Sequence, residues 1–108
     1  MSISIDDFGK IEIRVGKVLS VEDIPQAKKP MYRLMIDFGE FSKQCVAGIK
    51  EFYSKEELLG KLVVAVTNLK PKSVAGVVSE CMILAAFDNN TLSLIVPERQ
   101  VRVGLKVA

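Results

Sequence analysis

The sequence has no histidine, no tryptophan and only two cysteines among its 108 residues. Histidine is the commonest general base and metal ligand in proteins, so its absence argues against a catalytic triad and against a metal site. Cys45 and Cys81 lie in separate apolar segments with no other cysteine nearby in the sequence, which predicts isolated, buried free thiols. We therefore expect a protein that is not an enzyme and that holds neither a metal nor a cofactor.

Long apolar runs are also missing. The longest are residues 62–66 and 82–87, far short of the roughly 20 residues that a membrane helix needs. The first ten residues, MSISIDDFGK, have neither the cationic start nor the apolar centre of a secretory signal. These absences predict a protein that does not insert into membranes and is located in the cytoplasm.

The composition is that of one globular domain. With 49% hydrophobic residues, a chain of 108 residues can bury a core of its own. We expect a single domain over residues 1–108.

The net charge of +2 is too small to indicate a polyanionic partner by itself, so the positions of the charges matter more. No Asp or Glu occurs between Leu58 and Ser79. The basic residues form three clusters: Lys28, Lys29 and Arg33; Lys70 and Lys72; and Arg99, Arg102 and Lys106. Clusters of this kind are typical of a solvated surface and also of a surface that binds an anion.

Most of the chain has the apolar alternation of β-strands. Residues 11–24 alternate, with Leu19 expected on the inner face, Val18 on the other, and a bulge or sharp bend at Gly16. Further strands are predicted over residues 31–38, 42–48, 61–68, 79–87 and 91–96, with an alternating tail over residues 101–107. Tyr32, Leu34, Ile36 and Phe38 should point inward, and residues 68–73 should form a loop.

One helix is predicted, over residues 53–60. Ser54 and Glu57 have the spacing of a capping box, and Gly60 is placed to end the last turn. Lys55 should lie on its exposed side without a partner. A single short helix between the third and fourth of several short strands predicts an all-β fold, a five-stranded OB-type barrel with terminal extensions.

Three stretches resemble a known family: IEIRVGKV (11–18), residues 53–86 and VRVGLKV (101–107). They are similar to the tRNA-binding OB-fold domains, which include the C-terminal domain or β subunit of methionyl-tRNA synthetase, a free-standing tRNA-binding protein and the export-related chaperone CsaA. The most specific part is NLKP (68–71) followed by Gly76, Ser79 and Met82. The AKKP of residues 27–30 resembles the CsaA branch, and Ala75 stands where the synthetase-associated domains usually have Arg.

The resemblance implies a non-catalytic protein that binds tRNA and pairs as a homodimer through its terminal segments. The candidate tRNA-binding residues are Asn68, Lys70, Lys72, Ser79, Lys28, Lys29, Arg33 and Arg14. The lysines would meet phosphates, and the amide of Asn68 offers donors and an acceptor. Each has a structural alternative: Asn68 could shape a turn, Ser79 could bond locally, and Arg14 could pair with Glu12 or hold the barrel end.

The resemblance to CsaA leaves a second function open, that of a chaperone that binds unfolded preproteins before export. Such a protein needs an exposed apolar surface, and Met31, Met35 and Met82 are flexible enough to supply one if they face outward. An aminoacyl-tRNA synthetase is a further candidate partner, since the family includes a synthetase subunit.

Overall fold

The structure is a computed structural model that describes residues 1–108 and contains two short helices and ten strands. The helices are α1 (Ile5–Gly9) and α2 (Lys55–Leu58), and the strands are β1 (Ile13–Asp23), β2 (Tyr32–Asp37), β3 (Ser42–Ala47), β4 (Leu62–Val66), β5 (Lys72–Val74), β6 (Val77–Ser79), β7 (Met82–Ile83), β8 (Ala85–Phe87), β9 (Leu92–Leu94) and β10 (Lys106–Val107). Neither helix has the length and apolar character that crossing a membrane requires.

Five antiparallel strands form a nearly closed barrel in the order β3, β2, β1, β4, β7, with β10 paired to the start of β1. The remaining gap between β3 and β7 is bridged by Gln44 and Glu80. The Glu80 N–H donates to the Gln44 carbonyl at 2.8 Å, and the Gln44 N–H donates to Glu80 Oε1 at 3.0 Å. The predicted all-β class and OB-type barrel, with α2 between β3 and β4, are confirmed.

The barrel interior is a cluster of buried residues that includes members of β1, β2, β3, β4 and α2, with Ile83 of β7 packed against it. Tyr32, Leu34, Ile36 and Phe38 are each no more than 4% exposed, as their alternation predicted. Residues 63–66 of β4 are all buried as well, which confirms a strand covered on both faces. The sequence therefore identified the centre of the core correctly.

β1 bends at a position other than the one expected. Its register to β2 shifts between Val18 and Ser20, so the irregularity lies at Leu19 and not at Gly16. As a result Val18 is 1% exposed and Leu19 is 48% exposed, the reverse of the predicted faces. Gly16 serves close packing, because a Cβ there would lie 2.5 Å from Ile36 Cγ2.

Helix α2 has the predicted cap. Ser54 Oγ accepts from the Glu57 N–H at 3.1 Å, and Glu57 Oε1 accepts from the Ser54 N–H at 2.8 Å. The helix buries Leu58 completely. The expectation that Lys55 has no partner is wrong, because its Nζ lies 2.9 Å from Asp23 Oδ2 on β1.

Parts of the secondary structure were not predicted, among them the β5–β6 hairpin, which begins within the loop expected over residues 68–73. Helix α1 is capped by Ser4 but buries no residue, so the sequence carries no apolar periodicity that could reveal it. The predicted strand 79–87 is divided between β6, β7 and β8. At Leu84 the chain changes partner: its N–H donates to the Val64 carbonyl, while its own carbonyl accepts from the Ile95 N–H. An apolar run shows burial but does not show such a change of partner.

Candidate nucleic-acid interface

A β-hairpin outside the barrel sheet carries one of the two lysines of the NLKPKS segment. In this hairpin β5 pairs with β6, with Lys72 opposite Ser79. Its turn is Ala75–Gly76, with φ values of 53° and 82°. Two consecutive residues with positive φ are typical of the type I′ turn of tight hairpins. Gly76 thus adopts the left-handed conformation that glycine favours, while Lys72 begins a strand where a loop was predicted.

Lys70 and Lys72 are exposed, and neither side chain forms an ion pair or a hydrogen bond within the protein. Between them and the barrel lies an open groove of about 570 Å³. We call it the lysine groove; it is lined by Val46, Leu69, Lys70, Lys72, Val74, Ser79, Cys81 and Met82. Two ammonium groups thus stand at a concave surface that is mostly apolar.

A second groove lies on the other side of the same hairpin. It has a volume of about 390 Å³ and is lined by Gln26, Ala27, Lys28, Lys29, Met31, Val74 and Ala75. Val74 borders both grooves, and Gln26 Nε2 donates to the Ala75 carbonyl at 3.0 Å, which ties the two segments together. Lys28 and Lys29 are exposed and free of ion pairs. We call Lys28, Lys29, Lys70 and Lys72 the hairpin cations.

The two predicted arginines line neither of the two hairpin grooves. Arg14 is half-buried at the barrel end, where its Nη1 donates to the Gly104 carbonyl at 3.0 Å and its Nη2 donates to Glu12 Oε1 at 3.0 Å. Arg33 faces Glu22 across β1 and β2, and the two side chains form an ion pair at 3.1 Å. Both guanidinium groups therefore already have partners within the protein.

The side-chain amide of Asn68 also has partners on both of its atoms. Its Oδ1 accepts from the Glu12 N–H at 2.9 Å, and its Nδ2 donates to the Lys10 carbonyl at 2.7 Å. These bonds fix the start of the lysine segment against the chain that enters β1. Asn68 thus positions Lys70, which corresponds to the structural alternative considered for it.

Ser79 joins the hairpin to the barrel. Its Oγ accepts from the Val46 N–H at 3.0 Å and donates to the Cys81 carbonyl at 3.3 Å. With both functions of the hydroxyl occupied, Ser79 fixes β6 against β3 and forms part of the wall of the lysine groove.

The expectation that the two cysteines are isolated from each other is wrong, because the fold brings them into contact. Cys45 Sγ donates to the Cys81 carbonyl at 3.1 Å, and both thiols are free and buried. Contact with the Cys45 thiol and burial together raise the pKa of Cys81. No group of three or more His, Cys, Asp or Glu side chains is positioned to hold a metal ion.

The three predicted methionines do not form one surface. Met31 lines the second hairpin groove, Met35 lies half-buried on β2 opposite Gln44, and Met82 is exposed. Met82 does border a wide apolar groove of about 840 Å³. We call this the apolar groove; its walls include Val46, Ile49, Phe52, Met82, Ile83, Phe87 and Leu92.

Sequence reasoning missed the apolar members of these sites. Val46, Leu69 and Val74 line the lysine groove, and Phe87 is 76% exposed at the edge of the apolar groove. The only sequence signal was Leu69, an apolar residue between Asn68 and Lys70 in a segment predicted to be a polar loop.

Comparison with known proteins gives a consistent result. Residues 13–106 match the model of the family described as putative tRNA binding domain. Methionine–tRNA ligases match over nearly the whole chain: the enzyme of Thermotoga maritima is 46% identical over 107 residues, and that of Pyrococcus abyssi is 43% identical over 107 residues. The matched region is 99% of this chain but only 17% and 15% of those two proteins.

Solved structures of similar size share the fold over their full length. The CsaA chaperone of Picrophilus torridus superposes with a TM-score of 0.92 at 38% identity, covering 99% of this chain and 100% of that chain. The CsaA chaperone of Bacillus anthracis gives 0.93 at 35% identity, covering 100% of both chains. A MetRS-related protein from Pyrococcus horikoshii gives 0.91 at 36% identity, covering 100% of this chain and 99% of that chain.

Proposed function

Because the chain belongs to the tRNA-binding domain family, we propose that it is a non-catalytic tRNA-binding protein that acts as a homodimer in the cytoplasm. The observation that carries this proposal is the set of hairpin cations. These four lysines surround one hairpin and none of them is neutralised by an acid of the protein. Uncompensated ammonium groups on an exposed surface are suited to the phosphates of RNA.

The proposed mechanism is recognition of RNA shape. Side chains cannot enter the deep, narrow major groove of A-form RNA, so the lysines would follow the phosphate backbone. Asn68 and Ser79 act indirectly, by fixing the segments that carry Lys70 and Lys72. Arg14 and Arg33 are in internal bonds, so a contact with tRNA would require them to exchange a partner.

The test is the substitution of Lys70 and Lys72 together by Ala. Each phosphate contact that is lost should reduce the slope of log affinity against log salt concentration by about 0.7–0.9. We expect weaker tRNA binding and a slope lower by up to about 1.8, with an unchanged melting temperature because both side chains are exposed.

The matched control replaces Lys17 and Lys61 by Ala, which removes the same charge from one exposed and one half-buried side chain that form no ion pair and line neither hairpin groove. Lys55 cannot serve because it is bound to Asp23. Equal weakening in both double variants would show that net charge alone, and not the hairpin, binds the RNA.

The proposed dimer rests on the apolar residues left outside the barrel. Ile3 and Ile5 are 66% and 80% exposed at the N-terminus, and Phe8 follows them on α1. The tail adds Val101, Val103, Leu105 and Val107, which are half-buried, although only residues 106–107 of the expected alternating tail form a strand. A second copy of the chain would cover these residues.

The apolar groove supports a second candidate function, the binding of unfolded preproteins. Its walls expose Phe52, Met82 and Phe87, with exposed fractions of 41%, 48% and 76%, and two of the similar structures are described as CsaA chaperones. Capture of a chain by such a groove should be almost independent of salt, since no counterions are released.

A salt titration against a permanently unfolded preprotein separates the two functions. We expect Phe87→Ser to weaken binding of the preprotein much more than binding of tRNA, because Phe87 does not line the lysine groove and only Lys29 of the hairpin cations borders the apolar groove. If preprotein binding is absent or falls as steeply with salt as tRNA binding, the chaperone function is wrong.

An aminoacyl-tRNA synthetase remains a proposed partner, since a segment similar to this chain forms part of methionine–tRNA ligases in other organisms.

A further inference from the structure

The lysine groove combines two kinds of surface. Its rim carries the ammonium groups of Lys70 and Lys72, and most of the rest of its lining is apolar. Leu69 and Met82 expose 45% and 48% of their surface to this space and its surroundings. Phosphate contact alone would use the rim and leave the apolar surface in water.

An RNA duplex presents phosphates, riboses and base edges to a groove of this kind, but the apolar faces of its bases are stacked inside. An unpaired nucleotide offers a phosphate and, a few ångströms away, a flat base with apolar faces. Such bases bind proteins by stacking and by burial of these faces. The lysine groove holds both kinds of surface side by side, two ammonium groups and five apolar side chains.

We infer that the lysine groove takes an unpaired nucleobase of RNA, with the adjoining phosphates on Lys70 and Lys72; this inference rests on the proposed RNA-binding function. The volume of about 570 Å³ lies within the range of small-molecule sites. The chain would therefore select RNA with extruded bases, such as loops, over continuous duplex.

The groove offers little to distinguish one base from another. The hydroxyl of Ser79 is already bonded to Val46 and Cys81, and the thiol of Cys81 is buried. Discrimination by hydrogen bonds to the base edge needs free donors or acceptors. We therefore expect selection by the apolar area of the base, with purines bound more tightly than pyrimidines and little further dependence on sequence.

The inference is tested with one RNA sequence in two forms, an unstructured oligonucleotide carrying 2-aminopurine and the same oligonucleotide in a duplex. The wild-type protein should bind the single strand more tightly, and the 2-aminopurine fluorescence should change on binding. Leu69→Ser removes apolar lining from the groove and leaves both lysines in place. We expect it to weaken single-strand binding about fivefold or more, with an unchanged salt slope and little change in duplex binding.

Leu59→Ser is the matched control, since Leu59 is an exposed leucine that lies at the end of α2 and borders a different cleft. If both forms of RNA bind equally with a clear salt slope, and Leu69→Ser equals wild type, the base pocket is wrong while RNA binding stands. If neither form of the oligonucleotide nor tRNA binds with an affinity that falls as the salt concentration rises, the proposed function itself is wrong.

Discussion

Gly16 illustrates how little space the barrel leaves beside its first strand. A Cβ at this position would lie 2.5 Å from Ile36 Cγ2 and 2.6 Å from Phe38 Cε1. Gly16→Ala therefore overpacks the core, and we expect a loss of about 1–3 kcal/mol in the free energy of unfolding, measured by urea denaturation.

Gly9→Ala provides the comparison, because a Cβ there meets nothing within 4 Å. Gly9 ends helix α1, so alanine should leave stability unchanged or raise it slightly. A similar loss in both variants would contradict the role of close packing at Gly16.

Asp23 gives the protein a contribution to stability that depends on pH. Its carboxylate lies between Lys50 Nζ at 3.0 Å and Lys55 Nζ at 2.9 Å, and hydrogen bonds from Lys55 and Lys50 lower the pKa of Asp23 below 3.8 in the folded protein. A carboxyl with a lower folded pKa stabilises the fold above its unfolded pKa and loses this effect as the pH falls through the folded value.

We expect Asp23→Asn to melt at a lower temperature than wild type at neutral pH. On acidification below about pH 4 its melting temperature should fall by less than that of wild type. Melting curves over this range measure the effect. Asp6→Asn, which also removes one carboxylate but from a side chain without an ion pair, should follow the wild-type curve. If the melting temperatures of wild type and Asp23→Asn fall in parallel as the pH is lowered, the proposed pH-dependent contribution of Asp23 to stability is wrong.

At the scale of residues, the sequence predicted which side chains are exposed better than which hydrogen bonds they form. Lys70 and Lys72 are free and exposed, as their acid-free surroundings suggested. Asn68 is bonded to backbone atoms that lie 56 and 58 positions away in the chain. A partner at that separation leaves no local pattern in the sequence. The structural role of Asn68 could therefore be proposed from the sequence but not preferred to a contact with tRNA.

Helix α2 is the element whose formation depends most clearly on a single residue. Ser54 caps it, the reciprocal bond from its N–H lowers the pKa of Glu57, and the helix buries Leu58 beneath the barrel. Ser54→Ala should therefore lower the free energy of unfolding by about 1 kcal/mol in chemical denaturation.

Ser4→Ala removes the equivalent cap from α1, where Ser4 Oγ accepts from the Asp7 N–H at 3.0 Å. Because α1 buries no residue, its loss should hardly affect global unfolding. If the two cap variants lose the same stability, α1 is packed more firmly than its exposure indicates.

At the scale of elements, prediction succeeded where a local pattern was present. The capping box identified α2, and the alternation of residues 32–38 identified β2. It failed over residues 79–87, because the change of partners at Leu84 depends on hydrogen bonds to Val64 and Ile95 that sequence alone cannot show. The hairpin was missed because Ala75 adopts a positive φ that alanine rarely adopts.

At the scale of the whole molecule, the N-terminus exposes apolar side chains that a second copy of the chain would cover in the proposed dimer. We expect light scattering at micromolar concentration to give the mass of a dimer. Ile5→Asp should reduce that mass without unfolding the chain, because Ile5 is exposed and an acidic residue is favourable in the first turn of a helix.

Leu19→Asp is the control for the dimer, since Leu19 is 48% exposed but lies on β1 outside the terminal segments. It should leave the mass unchanged. A monomeric wild-type protein would overturn the proposed dimer.

The sequence predicted the barrel as a whole because burial and alternation recur in every strand. It could not predict how the barrel closes. The contact between β3 and the segment before β7 uses the side chains of Gln44, Ser79 and Glu80, which replace a regular ladder of strands. Polar residues of this kind look like ordinary surface until the two segments are adjacent.

This closure also protects the edge of the sheet. The outward N–H groups of Gln44 and Val46 on β3 are bonded to Glu80 Oε1 and Ser79 Oγ, so this edge offers no free donors at those positions to an incoming strand. Open edges are where sheets recruit further chains and begin to aggregate. An extended polypeptide held by this protein would therefore bind through the polypeptide's own side chains in the apolar groove, and not as an added strand on β3. Binding of this kind tolerates many sequences and allows them to be released readily.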